Sequence, residues 1–403
     1  MRTQNIAIIG YGQRGKIYAD YALNHADEFY VTAIVETDAS RRALASSRHD
    51  CPIFEDYKSF LNAGISADIV AIATQDIDHR EHAIACMEKG YDLLLEKPIA
   101  NTLEDCEAIY KASQEYGRKV IICHVLRYTP FYKKVKEIID SGLLGKIVTV
   151  NMSENVGYYH QAHSFVRGPW RQSEQACPMI VAKCCHDLDI MRWLIGGKCE
   201  EVSSIGELSV FNEANAPAGS AKFCSECRVE NCVYRAKALY GEYKWMRGYF
   251  CCDVDDDETA NAALKGSQYD RCVYRCDNDV VDHQVSIFRF ENNVTACHTM
   301  TAFSKEIYRD IKIHGTKAEL VGVMEKLALE VRVFGGETIR YDFSDISVNG
   351  NHGGGDNGLM HGVYLERNGR ATAGTTYLDV SIDSHRMAFG AEASRVKGER
   401  VNF

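Results

Sequence analysis

Six residues near the amino end have the spacing of a phosphate-binding glycine turn. Gly10-Tyr11-Gly12-Gln13-Arg14-Gly15 follows the pattern G-x-G-x-x-G and lies between an apolar strand pattern, Ile6–Ile9, and a helical pattern. In such a turn the first glycine allows the tight bend, the second lets the backbone approach a pyrophosphate, and the third lets helix and strand pack closely. N–H groups at the start of the next helix favour phosphate oxygens. We therefore predict dinucleotide binding at these six residues; a glycine turn without a nucleotide is the alternative.

An acidic residue follows at the distance where such sites bind the ribose. Glu36 ends the second strand pattern, about 20 residues beyond Gly15. Its carboxylate can accept hydrogen bonds from the ribose 2′-OH and would repel a 2′-phosphate, so the sequence favours NAD over NADP. Arg41 and Arg42 keep NADP open as an alternative, because either side chain could reach a 2′-phosphate.

Polar residues that end two further strand patterns are expected to lie near the same cofactor. Thr74 follows the apolar run at 68–73, and His79 comes five residues later. Glu96 and Lys97 directly follow another buried strand pattern. Because carboxyl ends of parallel strands line the ligand crevice of an open sheet, we assign these four residues to the cofactor site. The alternatives are a surface histidine at the start of a helix for His79 and a structural ion pair between Glu96 and Lys97.

A cysteine-rich segment forms a second group of chemically capable residues. The chain has 16 cysteines, and Cys224-x2-Cys227-x4-Cys232 lies in a polar insertion, with further cysteines at 251, 252, 272 and 276. The C-x2-C spacing is typical of structural zinc, which takes four ligands, and we predict Cys272 as the fourth, with Cys276 next. An insertion with few apolar residues needs such a clip to stay ordered. Free or disulfide-forming cysteines are the alternative, because a second C-x2-C pair is missing.

The elements that must position the glycine turn alternate between strand and helix. Strands are predicted at Asn5–Ile9, Tyr30–Val35, Asp68–Ala73, Asp92–Leu95 and Lys119–Ile122. Helices are predicted at Lys16–His25, Ser40–Ser47, His79–Lys89, Thr102–Glu115 and Phe131–Ser141. This alternation indicates a doubly wound parallel sheet with helices on both faces, and we predict an α/β dinucleotide-binding domain at residues 1–125.

After residue 145 the pattern changes to long alternating segments, which predict a mainly antiparallel sheet covered on one face. These strands are predicted at Lys146–Glu154, Cys199–Phe211, Val280–Glu291, Val294–Thr301 and Asp310–His314. Helices are predicted at His186–Ile195 and Asp383–Lys397, and Asn349–Gly358 is predicted to be a Gly/Asn loop without core-forming capacity. We therefore predict a substrate-binding α+β domain at residues 126–403, with the Cys-rich insertion at about 220–280.

Composition narrows the class of protein. With 46 Lys+Arg, 56 Asp+Glu and 46% hydrophobic residues, the chain has the balance of a globular protein and a net charge of −10. The absence of a basic block argues against nucleic acid or an anionic membrane surface as a partner. No apolar stretch approaches the ~18 residues of a membrane span. The first residues lead directly into a strand pattern without signal-peptide features, so we predict a cytoplasmic location and reduced thiols.

Taken together, these motifs resemble the glucose–fructose oxidoreductase / inositol dehydrogenase (Gfo/Idh/MocA) family. The resemblance is carried by GYGQRG at the amino end, EKP after the predicted strand at 92–95, and HDLD at 186–189, and it covers essentially the whole chain. It implies a Rossmann domain and a substrate domain built on an open mixed sheet. It also implies hydride exchange between NAD(P) and a hydroxyl-bearing carbon of a sugar or polyol, in a homo-oligomer (dimer or tetramer).

The resemblance assigns catalytic roles to three residues. Lys97 matches the family lysine that binds the reacting oxygen and the nicotinamide ribose, His186 matches the general base, and Asp189 is the acid three residues further on. The start of a helix disfavours an imidazolium, so His186 should stay neutral and basic, while Lys97 would stabilise alkoxide charge. Asp189 lies on the same helical face and is expected to orient the ring or contact a sugar hydroxyl. A helix-capping core histidine is the alternative for His186.

One position departs from the family pattern. Many members carry an aspartate four residues before the histidine, where this chain has Ala182 with Lys183 beside it. Either Lys183 takes over part of the aspartate's role, or the surroundings favour a different substrate. The departure weakens the transfer of any particular substrate, but it leaves the redox class intact.

Eight residues are predicted to contact substrate, because tryptophan, arginine and histidine suit stacking on and hydrogen bonding to carbohydrate. They are Arg127, Tyr128, His163, Arg167, Trp170, Arg171, Lys183 and His352, and His160 is a further candidate. His352 begins a glycine-rich run ending at Asp356, and glycines would let this loop approach a ligand closely. Plain surface positions are the alternative for these residues.

We therefore predict an NAD-dependent oxidoreductase acting on a sugar, sugar derivative or cyclic polyol. His186 would handle the proton and Lys97 would polarise the oxygen. An alternative is a glycoside-cleaving enzyme that oxidises a sugar transiently, eliminates a substituent and returns the hydride without net redox change. A third possibility, a sensor of NAD or sugar, is disfavoured because a sensor has no need of a proton acceptor beside the nicotinamide.

Overall fold

The computed structural model describes residues 1–251, 254–343, 352–370, 372 and 374–403. Two β-sheets organise the chain: residues 4–122 supply a six-stranded sheet, and residues 147–402 supply a nine-stranded sheet. The α/β fold with a parallel sheet and a second, mainly antiparallel sheet is therefore confirmed. Among the described residues, no helix combines the length and apolarity needed to cross a membrane.

The first sheet places the carboxyl ends of its strands along one edge. Its strands are β1 (Gln4–Ile9), β2 (Phe29–Val35), β3 (Ile53–Phe54), β4 (Ile69–Ile72), β5 (Leu93–Leu95) and β6 (Val120–Ile122). Their order is β3-β2-β1-β4-β5-β6, and every pairing is parallel. The order in which the chain adds strands reverses between β1 and β4. This position is the switch point at which such sheets bind ligands.

Six helices lie within the first 140 residues, and local sequence explains the starts of four of them. They are α1 (Gln13–Asn24), α2 (Ala39–Arg48), α3 (Tyr57–Ala63), α4 (His79–Glu88), α5 (Leu103–Glu115) and α6 (Pro130–Asp140). The side chains of Asp38, Asp56, Thr102 and Thr129 accept hydrogen bonds from N–H groups of the first turns of α2, α3, α5 and α6. Strand β3 and helix α3 are only two and seven residues long, and the sequence pattern did not predict them.

The second sheet has one parallel pairing, between β7 and β10, and is otherwise antiparallel. Its strands are β7 (Ile147–Asn155), β8 (Cys199–Glu207), β9 (His283–Phe290), β10 (Thr295–Thr301), β11 (Tyr308–Gly315), β12 (Ala318–Val323), β13 (Ala328–Val333), β14 (Thr338–Tyr341) and β15 (Val401–Asn402). The order is β14-β13-β12-β11-β7-β10-β9-β8-β15. Alternate residues of β9 are buried and exposed, as expected for a sheet covered on one face.

Within the described residues of the second half of the chain there are seven α-helices. They are α7 (Tyr158–His160), which continues into a π-helical segment at Gln161–Arg167, α8 (Met179–Ala182), α9 (Cys185–Ile195), α10 (Ala236–Glu242), α11 (Asp257–Leu264), α12 (Gly355–Arg367) and α13 (Leu378–Lys397). Helix α13 packs on α5 as well as on α9 and β8, and Tyr377 pairs with Ile121 of β6. The last helices therefore join the two sheets, and the division at residue 125 stays a prediction.

The predicted loop at Asn349–Gly358 is wrong from Gly355 onward, because helix α12 begins there. Gly355 and Asp356 are buried. A Cβ at Gly355 would lie 2.6 Å from the carbonyl oxygen of Val125, so glycine here permits close packing rather than a free loop. Residues 349–351 of that prediction, like Cys252 in the cysteine cluster, lie outside the described residues.

Candidate active site at the edge of the parallel sheet

The glycine turn has the geometry that its spacing predicts. Gly10 has φ 93°, and a Cβ there would lie 2.5 Å from the carbonyl oxygen of Ala73. A Cβ at Gly15 would lie 1.8 Å from the Gly10 carbonyl oxygen. By contrast, the nearest atom to a Cβ at Gly12 would be an Arg41 guanidinium nitrogen at 3.9 Å. The turn therefore has no room for a side chain at Gly10 and Gly15. Space remains beside Gly12, at the start of α1, where a pyrophosphate would fit.

Glu36 connects the end of β2 to this turn. Its Oε2 accepts the Tyr11 N–H at 2.8 Å, its Oε1 accepts the Asp38 N–H at 2.9 Å, and the side chain is buried. Arg42 donates to the Glu36 and Thr37 carbonyl oxygens, so its guanidinium is already engaged. Of the two arginines that kept NADP open, only Arg41 lies over the glycine turn.

The first two variable residues of the motif face in opposite directions. The Tyr11 side chain is buried and its hydroxyl lies 2.9 Å from Nε2 of His49. Gln13 is exposed, and its Nε2 would lie 2.8 Å from a Cβ placed at Gly248 in the Cys-rich insertion. The insertion therefore comes against the entrance of the predicted cofactor site.

Arg14 forms a buried charge cluster instead of projecting freely toward a cofactor. It pairs with Glu96 at 2.5 Å and with Asp356 at 2.7 Å, and it donates to the Tyr18 hydroxyl at 2.8 Å. Burial alone would raise the pKa of Glu96, but Arg14 and the Tyr18 hydrogen bond outweigh it and lower that pKa. The Arg14 cluster fixes the start of α1 to the segment after β5 and to α12.

Lys97 reaches across from the first sheet to the second half of the chain. Its Nζ donates to the Ala182 carbonyl oxygen at 3.0 Å, whereas its main-chain N–H, not the ammonium, bonds Glu96. Glu96 therefore pairs with Arg14 and not with the Lys97 ammonium, so the alternative of a structural Glu96–Lys97 ion pair is wrong. The ammonium lies at the carboxyl edge of β5, close to the segment that leads into α9.

Thr74 and His79 lie at the same edge, and both have partners. The Thr74 hydroxyl is 3.1 Å from Nδ1 of His82. His79 is fully buried, with Nδ1 2.9 Å from the Pro98 carbonyl oxygen. The surface alternative for His79 is therefore wrong: the histidine at the start of α4 packs against the residue after Lys97.

His186 occupies the first turn of α9 with Lys97 nearby. The ring is buried, and its Nδ1 has no hydrogen-bond partner among the described residues. Burial, followed by the positive charge of Lys97, holds the pKa of His186 well below its usual range. The rings of His124 and His352 lie at centroid distances of 5.6 and 6.2 Å. A neutral imidazole with a free nitrogen can accept a proton here.

Asp189 makes a different contact from the one expected. Its two oxygens accept from Nε and Nη2 of Arg127, both at 2.6 Å, and both side chains are buried. Burial raises the pKa of Asp189, and the Arg127 charge opposes that shift. The hydrogen bonds expected to orient His186 therefore go to Arg127, and Arg127 in turn is engaged in the core.

Lys183 joins a buried charge cluster behind α9. Its ammonium lies 3.4 Å from Glu154, which also pairs with Arg309 at 2.5 Å, and Arg309 pairs with Asp187 at 3.0 Å. Burial lowers the pKa of Lys183, and Glu154 partly offsets this shift. Ligand atoms of Cys184, Asp187 and His298 lie within 4.8 Å of one another. Because Arg309 and Lys183 already compensate the carboxylates of this cluster, it does not require a metal cation.

His352 is a substrate candidate whose ring lies 6.2 Å from that of His186. Its Nδ1 lies 3.0 Å from Asp356, the carboxylate that also pairs with Arg14. Burial favours the neutral acid, yet the His352 hydrogen bond and Arg14 lower the pKa of Asp356 to about 2. The glycine-rich run thus reaches the catalytic candidates, although α12 begins within it.

Four other substrate candidates contact protein groups in their own surroundings. Tyr128 is buried with its hydroxyl 3.4 Å from Thr376 Oγ1, and Arg171 binds Asp277 through two nitrogens. His163 is stacked on Tyr269 at 4.9 Å. Arg167 is fully buried and bonds main-chain oxygens of the insertion. Their predicted contacts with substrate stay predictions.

Two aromatic candidates lie beside the insertion. Trp170 is half-buried, with its ring 6.4 Å from Tyr249, and the His160 ring is 5.8 Å from Trp245. Both partners belong to the 3-10 helix Lys244–Tyr249, the segment that also contacts Gln13. These two candidates therefore face the layer that the insertion adds over the site.

The four predicted metal ligands line one small cavity. Cys224, Cys227, Cys232 and Cys272 surround it together with Arg167. The alternative fourth ligand, Cys276, lines a neighbouring depression. Disulfides, part of the alternative, are absent among the described residues.

Sequence reasoning missed three buried groups near Lys97 and His186. Asp76 is buried after β4, and burial raises its pKa, while Lys97 opposes that shift. His124 follows β6 and packs edge-on against His186, and His385 of α13 accepts the Ile99 N–H at 2.9 Å. The strand-end argument that found Lys97 would have found Asp76 and His124, whereas nothing local marks His385.

Two family profiles match this chain, one in each half. The profile of the oxidoreductase family with an NAD-binding Rossmann fold, GFO_IDH_MocA, matches residues 4–124. The profile of the GFO/IDH/MocA C-terminal domain matches residues 132–321. The fold and the order of motifs agree with both, and the chain belongs to the Gfo/Idh/MocA family of NAD-binding oxidoreductases.

The named relatives match this chain over different shares of its length. YteT of Bacillus subtilis (strain 168) is named as an oxidoreductase, and its name gives no substrate. It is 26% identical to this chain over 84% of this chain and 82% of its own length. Inositol 2-dehydrogenase 2 of Saccharopolyspora erythraea is 29% identical over 48% of this chain. This chain spans only about half of that relative, 54%.

Solved structures share the fold over the whole chain. A levoglucosan dehydrogenase in complex with NADH and L-sorbose superposes with a TM-score of 0.74, covering 100% of this chain and 99% of that one at 19% identity. The WlbA dehydrogenase of Bordetella pertussis, in complex with NADH and UDP-GlcNAcA, has a TM-score of 0.73 over 100% of this chain and 98% of that one at 16% identity. At these identities the likeness establishes the common fold alone.

Proposed function

We propose that this protein is an NAD-dependent oxidoreductase that transfers a hydride between nicotinamide and a hydroxyl-bearing carbon of a sugar, sugar derivative or cyclic polyol. The observation that carries the proposal is the meeting of two distant groups. The Lys97 ammonium binds the Ala182 carbonyl oxygen, four residues before His186, and is close enough to depress the pKa of that imidazole. A cation and a neutral base are thereby available to one hydroxyl group.

Lys97 and His186 act on the same substrate hydroxyl in different ways. Oxidation of a secondary alcohol needs an acceptor for the hydroxyl proton, and the neutral, partner-free nitrogen of His186 supplies one. The Lys97 ammonium stabilises the negative charge that develops on the oxygen as this proton leaves. In the reductive direction the imidazolium returns the proton to the oxygen.

The cofactor would be held by the glycine turn. N–H groups at the start of α1 would bind its phosphates, and Glu36, fixed by two main-chain N–H groups, would bind the ribose hydroxyls. NAD supplies the hydride acceptor or donor when bound. This arrangement favours NAD, and the Arg41 guanidinium near Gly12 is the group that would accommodate NADP.

The substrate class follows from the relatives and from the chemistry of the cleft. Among matching proteins, one is named for inositol and another for levoglucosan, both rich in hydroxyl groups. We propose that His352, whose ring lies 6.2 Å from that of His186, binds such hydroxyls, and that the Lys183 ammonium, held by Glu154, adds positive charge to the same cleft, while Ala182 leaves out the carboxylate of many members. The alanine at position 182 would give the protein a different substrate preference within the same class of sugars and polyols.

Replacement of His186 tests the proposed base. His186→Ala should reduce turnover with NAD and the preferred substrate by ~10²–10⁴-fold, while binding of NAD is retained. The preferred substrate is first found by following nicotinamide absorbance over a panel of sugars and polyols, with NAD and NADP. NAD binding is measured separately by fluorescence titration.

His314→Ala is the control, because His314 lies on β11 of the second sheet and has no assigned part in the proposed reaction. Near-normal turnover of His186→Ala would show that another group carries the proton. Product release without any net absorbance change, in protein supplied with no cofactor, would instead favour the redox-neutral alternative.

Four further features of the protein stay proposals. Zinc, the second predicted cofactor, has no part in this hydride transfer and concerns the insertion alone. A homo-oligomer is supported by Ile205, Val285 and Ile287, which are exposed on neighbouring strands of the second sheet. A cytoplasmic location and the lack of nucleic-acid or membrane partners rest on the sequence alone.

A further inference from the structure

A buried arginine and four cysteines enclose one small cavity in the insertion. Cys224, Cys227, Cys232 and Cys272 line a cavity of about 20 Å³, and Arg167 lines it with them. A space of this size holds about one water molecule or one ion. The cavity lies apart from Lys97 and His186, and the hydride chemistry does not use it.

Hydrogen bonds between two distant stretches of chain bring the cysteines together. Phe223 pairs with Arg271 in an isolated antiparallel bridge, and the Cys272 N–H donates to the Lys222 carbonyl oxygen at 2.9 Å. Ser225 donates its N–H to Asp270 at 3.0 Å. The backbones that carry Cys224 and Cys272 are therefore fixed side by side before any ligand binds.

Arg167 lacks the counter-charge that its burial requires. It donates to the carbonyl oxygens of Arg271 and Tyr234, both at 2.7 Å, and Nη2 lies 3.6 Å from Sγ of Cys224. Its Nη1 is buried without a hydrogen-bond partner among the described residues. Within that part of the chain, no carboxylate forms an ion pair with Arg167.

A guanidinium cannot shed its charge by deprotonation, and a buried charge without compensation is strongly destabilising. The cavity lining adds a second cation, Arg235, and contains no carboxylate, so the negative charge would have to come from the four cysteines. Thiolates, unlike thiols, would supply the negative charge, and thiolates stay deprotonated in a buried site when a metal binds them.

We propose that Cys224, Cys227, Cys232 and Cys272 bind one Zn²⁺ as thiolates and that Arg167 is the counter-ion of this centre. Binding releases four thiol protons, so the zinc with its four ligands carries a net charge of −2, which Arg167 partly neutralises. The cavity suits a single ion. Among the described residues, no three of these sulfurs lie within 4.8 Å of one another, so the proposal requires that their side chains turn inward to reach Zn–S distances of about 2.3 Å.

The zinc centre would hold the layer that lies over the glycine turn. The chain between Cys232 and Cys272 includes the 3-10 helix Lys244–Tyr249, where Gly248 lies against Gln13. The Tyr249 ring also lies 4.8 Å from His163. The ion is therefore structural, and it stabilises one wall of the site without touching the reacting groups.

Elemental analysis of protein purified without chelator tests the zinc directly. We expect about one zinc per chain, and we expect that the native protein shows four more reactive thiols after treatment with a strong chelator. Wild-type protein with no stoichiometric zinc and with no such increase would overturn the proposal. Iron with acid-labile sulfide in place of zinc would overturn it as well.

Single substitutions identify the ligands. Cys224→Ser and Cys272→Ser should lose the zinc, whereas Cys276→Ser should retain it, because Cys276 belongs to the same insertion but lines a different depression. Equal zinc contents in all three variants would contradict the assignment. The wild-type measurements stand by themselves if a cysteine variant fails to fold.

Substitution of Arg167 separates the counter-ion from a substrate residue. Arg167→Met should lower zinc affinity in competition with a chromogenic chelator by about 10–100-fold, and Arg167→Lys should restore most of it. Unchanged affinity in Arg167→Met together with a raised KM for substrate would show that Arg167 serves the substrate and would overturn its assigned role. Metal content and affinity are read without turnover, so failure here is distinguishable from failure of the proposed redox function.

Discussion

Glu36 shows how much a single carboxylate can organise. Both of its oxygens accept main-chain N–H groups, one from the glycine turn and one from the residue before α2. Those bonds orient the carboxylate before any cofactor binds, so binding costs little further ordering of this side chain. The same carboxylate would then bind the ribose, which makes Glu36 the residue that decides between the two nicotinamide cofactors.

Glu36→Ala should raise the KM for NAD by about 10–100-fold, because charge-assisted hydrogen bonds to the ribose are lost. The KM for NADP should change less, since the carboxylate that repels a 2′-phosphate is removed as well. Initial rates with each cofactor measure both constants. Glu55→Ala is the matched control: this exposed acid lies after β3 and pairs with Arg42. An equal loss of both cofactors would remove the assigned role.

Single residues were predictable from sequence where their role depends on local geometry. Gly10, Gly15 and Lys97 follow directly from strand ends and a turn, so spacing alone located them. The contact between Asp189 and Arg127 was not predictable in this way, because the two residues are distant in the sequence and the ion pair exists only after folding. The same holds for Arg14, which meets Asp356 across most of the chain.

Helix α12 is an element whose sequence argues against it. Each interior glycine disfavours a helix by about 1 kcal/mol relative to alanine, and the chain has glycine at 355, 358 and 362. A Cβ at Gly358 would lie 2.8 Å from the Tyr128 carbonyl oxygen, and one at Gly362 would lie 2.5 Å from the Tyr128 ring. Close docking on the 3-10 helix Val125–Tyr128 therefore overrides propensity, which periodicity could not reveal.

Gly358→Ala should destabilise the protein by about 1–3 kcal/mol, because the new methyl group meets a main-chain oxygen that cannot move aside. Urea unfolding followed by circular dichroism gives the free energy of unfolding. Gly241→Ala is the matched control in helix α10, where nothing lies within 4 Å of the added Cβ, and it should be neutral or slightly stabilising. Equal stability of the two variants would show that α12 does not dock through this glycine.

In the second sheet, the long alternating strands were predictable, whereas the two-residue strand β15 was not. β7, β9, β10 and β11 have clear alternation of apolar and polar residues, which reflects one covered face. The pair at Val401–Asn402 has no such signal, since it becomes a strand only by pairing with β8. Pairing partners, unlike periodicity, depend on the whole fold.

At the scale of the whole molecule, the protein keeps an unusual number of histidines buried and neutral. Burial lowers the pKa of His163 and of His385 to about 3, and it holds the pKa values of His124 and His186 far below their usual range. Neutral imidazoles serve the proposed chemistry at one of these positions. At the others they make folding depend on pH, because the unfolded chain binds protons that the folded chain excludes.

The stability of the folded protein should therefore contain a histidine term that is fully present above pH 6.5 and is lost as the pH falls toward the folded pKa values. An unfolded histidine titrates near 6.5, so for His163 this window runs from pH 6.5 down toward 3, at ~1.4 kcal/mol per pH unit. Asp187, whose pKa burial raises to about 7, acts with the opposite sign, so only a difference between variants isolates one group.

Urea unfolding of wild type and His163→Asn at pH 7.5, 6.5, 5.5 and 5.0 measures that difference. His163 suits the test because burial and the nearby Arg167, rather than a titrating acid, set its pKa. The variant should lose stability less steeply than wild type below pH 6.5, so the two curves should approach each other by ~1–2 kcal/mol at pH 5.0. Parallel curves for His163→Asn would mean that this imidazole takes up its proton in the folded protein as readily as in the unfolded chain.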